Sequence, residues 1–246
     1  MKFTRYSALF AIVVAVCVLA CWGTSTSPFE GSFRIWIQMN PLTAVMFILS
    51  GAALMASSKK LRTPISVIIF LVSLTNILRV LGWTDFGIDT LFFSDQIGET
   101  RMAPNTALCF LLMSGALFKL DDQLEKNWRV TEICALAIHL ISMATLIGYT
   151  YGAKPLYGVS DFIPMAVHTA ITFLVLSLGI LTHRPDTGLV SVLTKRDLGG
   201  YSSRRMLPAV ILIPLILGWM RLAGQAEGIY GAEFGTALSV IINVVC

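Results

Sequence analysis

MAPNTALCF (102–110) is preceded sixty-three residues earlier by MNPLTAVMF (39–47) and followed sixty-three residues later by MAVHTAITF (165–173). Thr43–Ala44, Thr106–Ala107 and Thr169–Ala170 are in register, as are Met39, Met102 and Met165, and Phe47, Phe110 and Phe173. A fourth pair, Thr236–Ala237, follows after sixty-seven. Similarity at a fixed period marks a repeated supersecondary unit. Pro41, Pro104 and Pro164 suit the first turn of a helix, where a missing N–H costs little. The small Ala beside each Thr permits close helix approach.

The surrounding sequence is that of a membrane protein. Of 246 residues, 56% are hydrophobic and only 13% charged, about half the charge of a soluble domain. A helix needs about 20 apolar residues to cross the hydrocarbon. Eight runs meet or approach this, at about 7–23, 40–56, 64–83, 103–118, 130–149, 163–181, 206–222 and from about 233. The last stops after about 14 residues, too short to cross, which suggests a fragment of a longer protein. LGW (81–83), IGY (147–149) and LGW (217–219) end the returning helices with an aromatic after Gly, and ACW (20–22) ends the first similarly.

The repeat unit is therefore an entering helix and a returning one, over about 39–101, 102–164 and 165–232, with helix 1 and the short helix 8 forming a fourth pair. Since every copy enters from one side, these are parallel repeats. The expected fold is an all-α integral membrane bundle of eight helices, 1–246 forming one domain with approximate four-fold pseudo-symmetry.

Orientation follows from the cations. Lys2, Arg5, Lys59, Lys60, Arg62, Lys119, Lys126, Arg129, Arg184, Lys195, Arg196, Arg204 and Arg205 fall on one side, against Arg34, Arg79, Arg101, Lys154 and Arg221 on the other. This asymmetry places the N-terminus in the cytoplasm. The net charge of +4 is a topology signal and not evidence for nucleic acid. VLAC (18–21) loosely matches a lipoprotein processing site; a retained first helix is the favoured reading.

Candidate binding residues gather near the expected outer ends. His168 takes the position that Leu42 and Asn105 hold in the other copies. Arg79 and Arg221 lie within a turn of the ends of helices 3 and 7, where they either snorkel or face the bundle as functional groups. Facing inward, Arg79 would pair with acids of DFGID (85–89), and Arg221 with Glu227 or Glu233. Asp85, Asp89, Asp95, Glu99 and Arg101 make 84–101 the longest charged outer segment and the first choice for a recognition surface. Met and His could hold Cu(I), and His139 with His168 could suggest haem, but packing and hydrogen bonding explain them better. The cofactor is left unknown and no metal site is expected.

Neither a nucleophile-and-base arrangement nor a phosphate-binding Gly loop occurs, and no catalytic residues are expected. No Lys lies in a span, which excludes a retinal Schiff base, and missing midplane carboxylates disfavour an ion-coupled transporter. Glu132 stands where a helix dipole favours an acid. Asp161 reads as a turn residue. GLVSVL, in the basic connection 183–205, could form a short interfacial helix attracted to anionic lipid. Cys17, Cys21, Cys109, Cys134 and Cys246 read as free thiols.

NPLTA, MAPNTALCFLL, YGAKPLYGVSDFIPMAVHTAITFLVLSLGILTHRPDTG and RRMLPAVILIPLILGWMRLAGQAEGIYGAEFGTAL together resemble the multi-pass N-terminal region of bacterial hybrid sensor histidine kinases and GGDEF-type diguanylate cyclases, the membrane-associated sensor (MASE-like) class. The resemblance covers the chain from about residue 35 onward. It implies an input domain in the bacterial inner membrane, passing a periplasmic or intramembrane stimulus, a small or lipid-soluble molecule, to C-terminal cytoplasmic modules. It also implies homodimers. The chain has no kinase or cyclase motif, so no enzyme activity is expected of it. The alternative is a stand-alone transporter or an accessory subunit of a membrane complex.

Overall fold

A computed structural model describes residues 2–24, 38–84, 88, 101–120, 125–158, 162–194 and 197–227. Those residues form helices α1 (Lys2–Gly23), α2 (Pro41–Met55), α3 (Lys59–Val80), α4 (Pro104–Lys119), α5 (Glu125–Tyr151), α6 (Lys154–Tyr157), α7 (Val167–Leu181), α8 (Gly188–Thr194) and α9 (Leu198–Ala226), with no strand among them. Among the described residues three segments are long and apolar enough to cross a membrane: Lys2–Gly23, Lys59–Val80 and Trp128–Tyr151. α2 and α7 are shorter apolar helices.

Helices begin where capping chemistry allows. Pro41 and Pro104 take the first helical positions of α2 and α4, and the Asn40 side chain caps α2 by accepting from the Leu42 N–H at 2.9 Å. Pro164 does not do the same for α7. That helix starts at Val167, in the register position of Pro41 and Pro104. α3 begins before its expected start at 64, because Ser58 accepts from the Lys60 N–H and leaves Pro64 inside the helix.

The outer helices turn small and polar residues inward and larger apolar ones outward. The buried positions of α3 are Arg62, Ser66, Ile69, Ser73 and Asn76, a spacing of three and four that selects one helix face. Thr131, Ala135, Ile138, Ser142 and Thr145 do the same on α5, and Thr4, Ala8, Ala11 and Ala15 on α1. Larger apolar side chains point outward, among them Phe10, Val13, Ile68, Phe70, Leu71, Ile133 and Leu140. Lipid suits the outer surface, while small residues let helix backbones approach. Five of the buried hydroxyls are satisfied locally: Ser50, Ser66, Ser73, Ser142 and Thr145 each donate to the carbonyl four residues earlier.

Three short helices, α2, α4 and α7, form the centre. Phe47, Phe110 and Phe173 meet there, with ring centroids 5.0, 4.7 and 4.7 Å apart and interplanar angles of 57°, 60° and 63°. All three rings are fully buried. Around them α1 packs against α2 and α7, α3 against α2 and α4, and α5 against α4 and α7. Six helices thus form a closed ring of three around three. The central helices have 15, 16 and 15 residues, about 23 Å at the usual rise, less than the roughly 30 Å hydrocarbon thickness. Their longer neighbours cover them.

The sequence expectation paired α1 with a helix from about 233, but residues beyond 227 lie outside the described ones. Among the described helices α1 itself closes the ring, and its most extensive packing is with α2. α3 and α5 likewise pack most extensively with the entering helix that follows them. The aromatics that end two returning helices secure this pairing. Trp22 Nε1 donates to the Met39 carbonyl at 3.0 Å, and the Tyr149 hydroxyl to the Met165 carbonyl at 2.7 Å. Trp83, in contrast, is 76% exposed.

Arg62 belongs to the core and not to the solvated basic loop that the charge pattern suggests. Its Nε donates to the Ala53 carbonyl at 2.9 Å, and its Nη2 to the Ala56 carbonyl. The guanidinium thereby closes the C-terminal end of α2, where a cation is favoured by the helix dipole. Arg62→Met is expected to lower stability by about 3 kcal/mol through loss of these charge-assisted bonds. Arg62→Lys should restore only part, since one ammonium cannot reproduce the planar fork. Detergent-titrated unfolding of the purified protein checks both.

Candidate functional site

The end of the bundle where the central helices begin collects several of the candidate residues. Asn105 and His168 are each the second residue of their helix, half-buried, on the adjacent central helices α4 and α7. Leu42, buried, holds the matching position on α2. Arg101 is exposed just ahead of α4, and Arg79 is half-buried in the last turn of α3. Arg221, also half-buried, is carried on α9, which packs on α5 and α8 and so stands apart from the central helix ends. Asp85 and Asp89 lie outside the described residues, as do Asp95, Glu99, Asp161 and Glu233. The structure therefore brings Asn105 and His168 to one end of neighbouring helices and sets Arg221 to the side.

The same end is braced by aromatic contacts. Tyr149 and Tyr157 stack with centroids 4.2 Å apart and planes at 14°. The Met165 N–H donates to the Tyr157 carbonyl at 3.0 Å, while its carbonyl accepts from Tyr149. The chain turns between them at Gly152, whose φ of 65° suits a residue without Cβ. The start of α7, and with it His168, is held by three hydrogen-bonded or stacked contacts from a single short stretch.

His139 is bonded within the bundle, as expected for a buried His. Its Nδ1 lies 3.1 Å from Ser177 Oγ across α5 and α7. Ser177 Oγ also lies 2.8 Å from the Leu174 carbonyl oxygen, so this hydroxyl joins the imidazole to the backbone of α7. Among the described residues no group of three or more His, Cys, Asp or Glu side chains could hold a metal ion. Cys17, Cys21, Cys109 and Cys134 are free thiols.

Sequence reasoning missed a groove between α5 and α9. About 300 Å³ in volume, it is lined by Met143, Leu146, Ile147, Tyr151, Leu215 and Trp219, among others. One strut crosses it: the Tyr151 hydroxyl donates to the Leu215 carbonyl at 2.6 Å. Gly218 makes room for that hydroxyl, since a Cβ there would stand 2.6 Å from it. The visible sequence signals were a second Tyr two residues past IGY and the Gly of the last LGW, but nothing in either names the other.

At the opposite, basic end, Glu132 of α5 accepts from the Leu189 N–H. The Glu132 carboxylate lies against Gly188, whose φ is 67°. Arg204 of α9 donates to the Leu193 carbonyl, and the Arg184 guanidinium lies 5.2 Å over the Trp128 ring. The short helix expected in GLVSVL is present as α8, clasped between α5 and α9.

No protein-family model matches this chain, and neither the curated proteins nor the solved structures include a match to it.

Proposed function

We propose that the chain is the membrane-embedded input domain of a bacterial signal-transduction protein. In this reading it crosses the inner membrane with its N-terminus in the cytoplasm, through eight helices built from the repeated pair. A small or lipid-soluble stimulus acts at the end bearing Asn105, His168, Arg101 and Arg79, or within the bilayer. α9 and the residues after it transmit the response to C-terminal modules. The sequence phrases of the membrane-associated sensor class and the Lys/Arg asymmetry support it.

The observation that carries the reading is the attachment of α9. The six-helix ring is closed around its phenylalanines, whereas α9 leans on α5 across an apolar groove and is joined to it by Tyr151. A second seating of α9 against the ring would supply the two packings that a signalling equilibrium needs, and a ligand shifts them only by preferring one. A transporter would need a path along the axis, and Phe47, Phe110 and Phe173 fill that position.

The test uses the full-length gene product in lipid nanodiscs, assayed for autophosphorylation or cyclic dinucleotide synthesis. Tyr151→Phe removes one net hydrogen bond, worth about 1 kcal/mol, and is expected to shift basal output about fivefold with helix content unchanged. A gene product without a cytoplasmic output module, or unaltered output in the variant, would overturn the reading in favour of an accessory subunit.

A further inference from the structure

We infer that α8, with the adjoining ends of α5 and α9, forms a binding surface for anionic phospholipid headgroups. This goes beyond the signalling reading and does not depend on it. α8 has seven residues, far too few to hold a helix in water by itself. It is held instead from outside, by Glu132 at Leu189 and by Arg204 at Leu193. Two of its hydroxyls add support: Ser191 donates to the Gly188 carbonyl at 2.6 Å within the helix, and Thr194 to the Pro185 carbonyl at 3.0 Å just ahead of it.

So supported, α8 divides its apolar residues between two faces. Val190 is half-buried against the core, while Leu189 and Val192, three residues apart on one side, are 52% and 46% exposed. An anchored helix that presents Leu and Val outward at the boundary of an apolar bundle fits the interfacial zone of a bilayer.

The charges around it specify the lipid. Arg129 and Arg205 are exposed, Arg204 reaches α8 and Arg184 is stacked on Trp128. Among the described residues the acids nearby are Glu132, Asp186 and Asp197. Of these Glu132 is engaged with Leu189, and Asp197 accepts from the Gly200 N–H at 2.7 Å. Guanidinium groups pair bidentately with phosphate oxygens. A phosphodiester carrying acyl chains satisfies the arginines and the Leu189–Val192 edge together, whereas free phosphate satisfies only the first.

The experiment measures association of spin-labelled phosphatidylglycerol and phosphatidylcholine with the full chain in bilayers. Phosphatidylglycerol is expected to be preferred, and high salt to reduce the preference. Each cation near the surface contributes about fivefold, so Arg129→Gln with Arg205→Gln is expected to lower the preference by about twenty-fivefold. Leu189→Ser with Val192→Ser should weaken both lipids and leave their ratio unchanged. If the double arginine variant loses helix content, Arg205→Gln alone, at an exposed position, carries the test with about a fivefold loss. Equal association of the two lipids with the wild-type protein, or a full preference in the folded arginine variant, would overturn the inference. The exposed arginines would then be left for an acidic protein partner.

Discussion

Phe110→Ala is expected to cost the folded bundle about 3 kcal/mol, the low end for a buried Phe→Ala change. In lipid the outward transfer of apolar surface contributes little to helix association, so packing itself carries the stability. Removing one ring leaves a void at the point where three helices meet, and its neighbours lose contacts on that side. Two aromatic pairs also vanish, each worth about 1 kcal/mol beyond burial. Because every ring faces the other two at 4.7 to 5.0 Å, Phe47→Ala and Phe173→Ala should cost nearly the same. Any two together should cost other than their sum, since the residues touch. Unfolding in mixed micelles, titrated with a denaturing detergent and followed by circular dichroism, gives all these values. A loss below about 1 kcal/mol at any of the three would show that the ring is not held at its centre.

The second large effect is expected at the two glycines against α1. A Cβ at Gly51 of α2 would lie 2.7 Å from Ile12 Cγ1 and 2.9 Å from the Ala8 carbonyl oxygen. A Cβ at Gly179 of α7 would lie 2.8 Å from Ser7 Cβ and closer still to Ser7 Oγ. The obstacle at Gly51 includes backbone, so α1 must shift as a body. Gly51→Val is expected to destabilise by about 3 kcal/mol, the upper range of overpacking, and to loosen α1 from the ring. Gly179→Ala should cost about 2 kcal/mol on the same ground, most of it recovered by Ser7→Gly on the facing helix. That rescue distinguishes a close-approach site from a general fault in α7. If Ser7→Gly recovers nothing, the α1–α7 contact is not what limits stability.

These glycines also show why α1 is an integral member of the ring. Its Ala8, Ala11 and Ala15 are fully buried between α2 and α7. From the same helix, Ile12 and the Ala8 carbonyl oxygen lie against Gly51 of α2, and Ser7 lies against Gly179 of α7.

Much of the architecture was legible in the amino-acid order. The sixty-three-residue interval put Phe47, Phe110 and Phe173 at one register position, and the apolar runs located the helices to within a few residues, apart from starts such as that of α3. Pro41 and Pro104 marked two helix starts correctly; Pro164 did not, because a proline three residues ahead of a helix resembles one inside it. Asn105 and His168 could be placed at matching positions on their helices from the repeat alone. The acidic half of the expected recognition surface, Asp85 and Asp89, lies outside the described residues.

What only tertiary structure decided was rotation and neighbourhood. A helix apolar on every side carries little amphipathic signal to say which face turns inward, so the small-residue seams emerged only from packing. Arg62 looked like one more basic residue beside Lys59 and Lys60, yet it closes α2 because α3 begins earlier than its apolar run. Glu132 meets Gly188 and Leu189, and Tyr151 meets Leu215 and Gly218, across separations that no local period encodes. The repeat dictated three like helices with three like phenylalanines. Their convergence on one point, with α1 closing the circle, depended on how closely glycine, alanine and serine let the backbones approach.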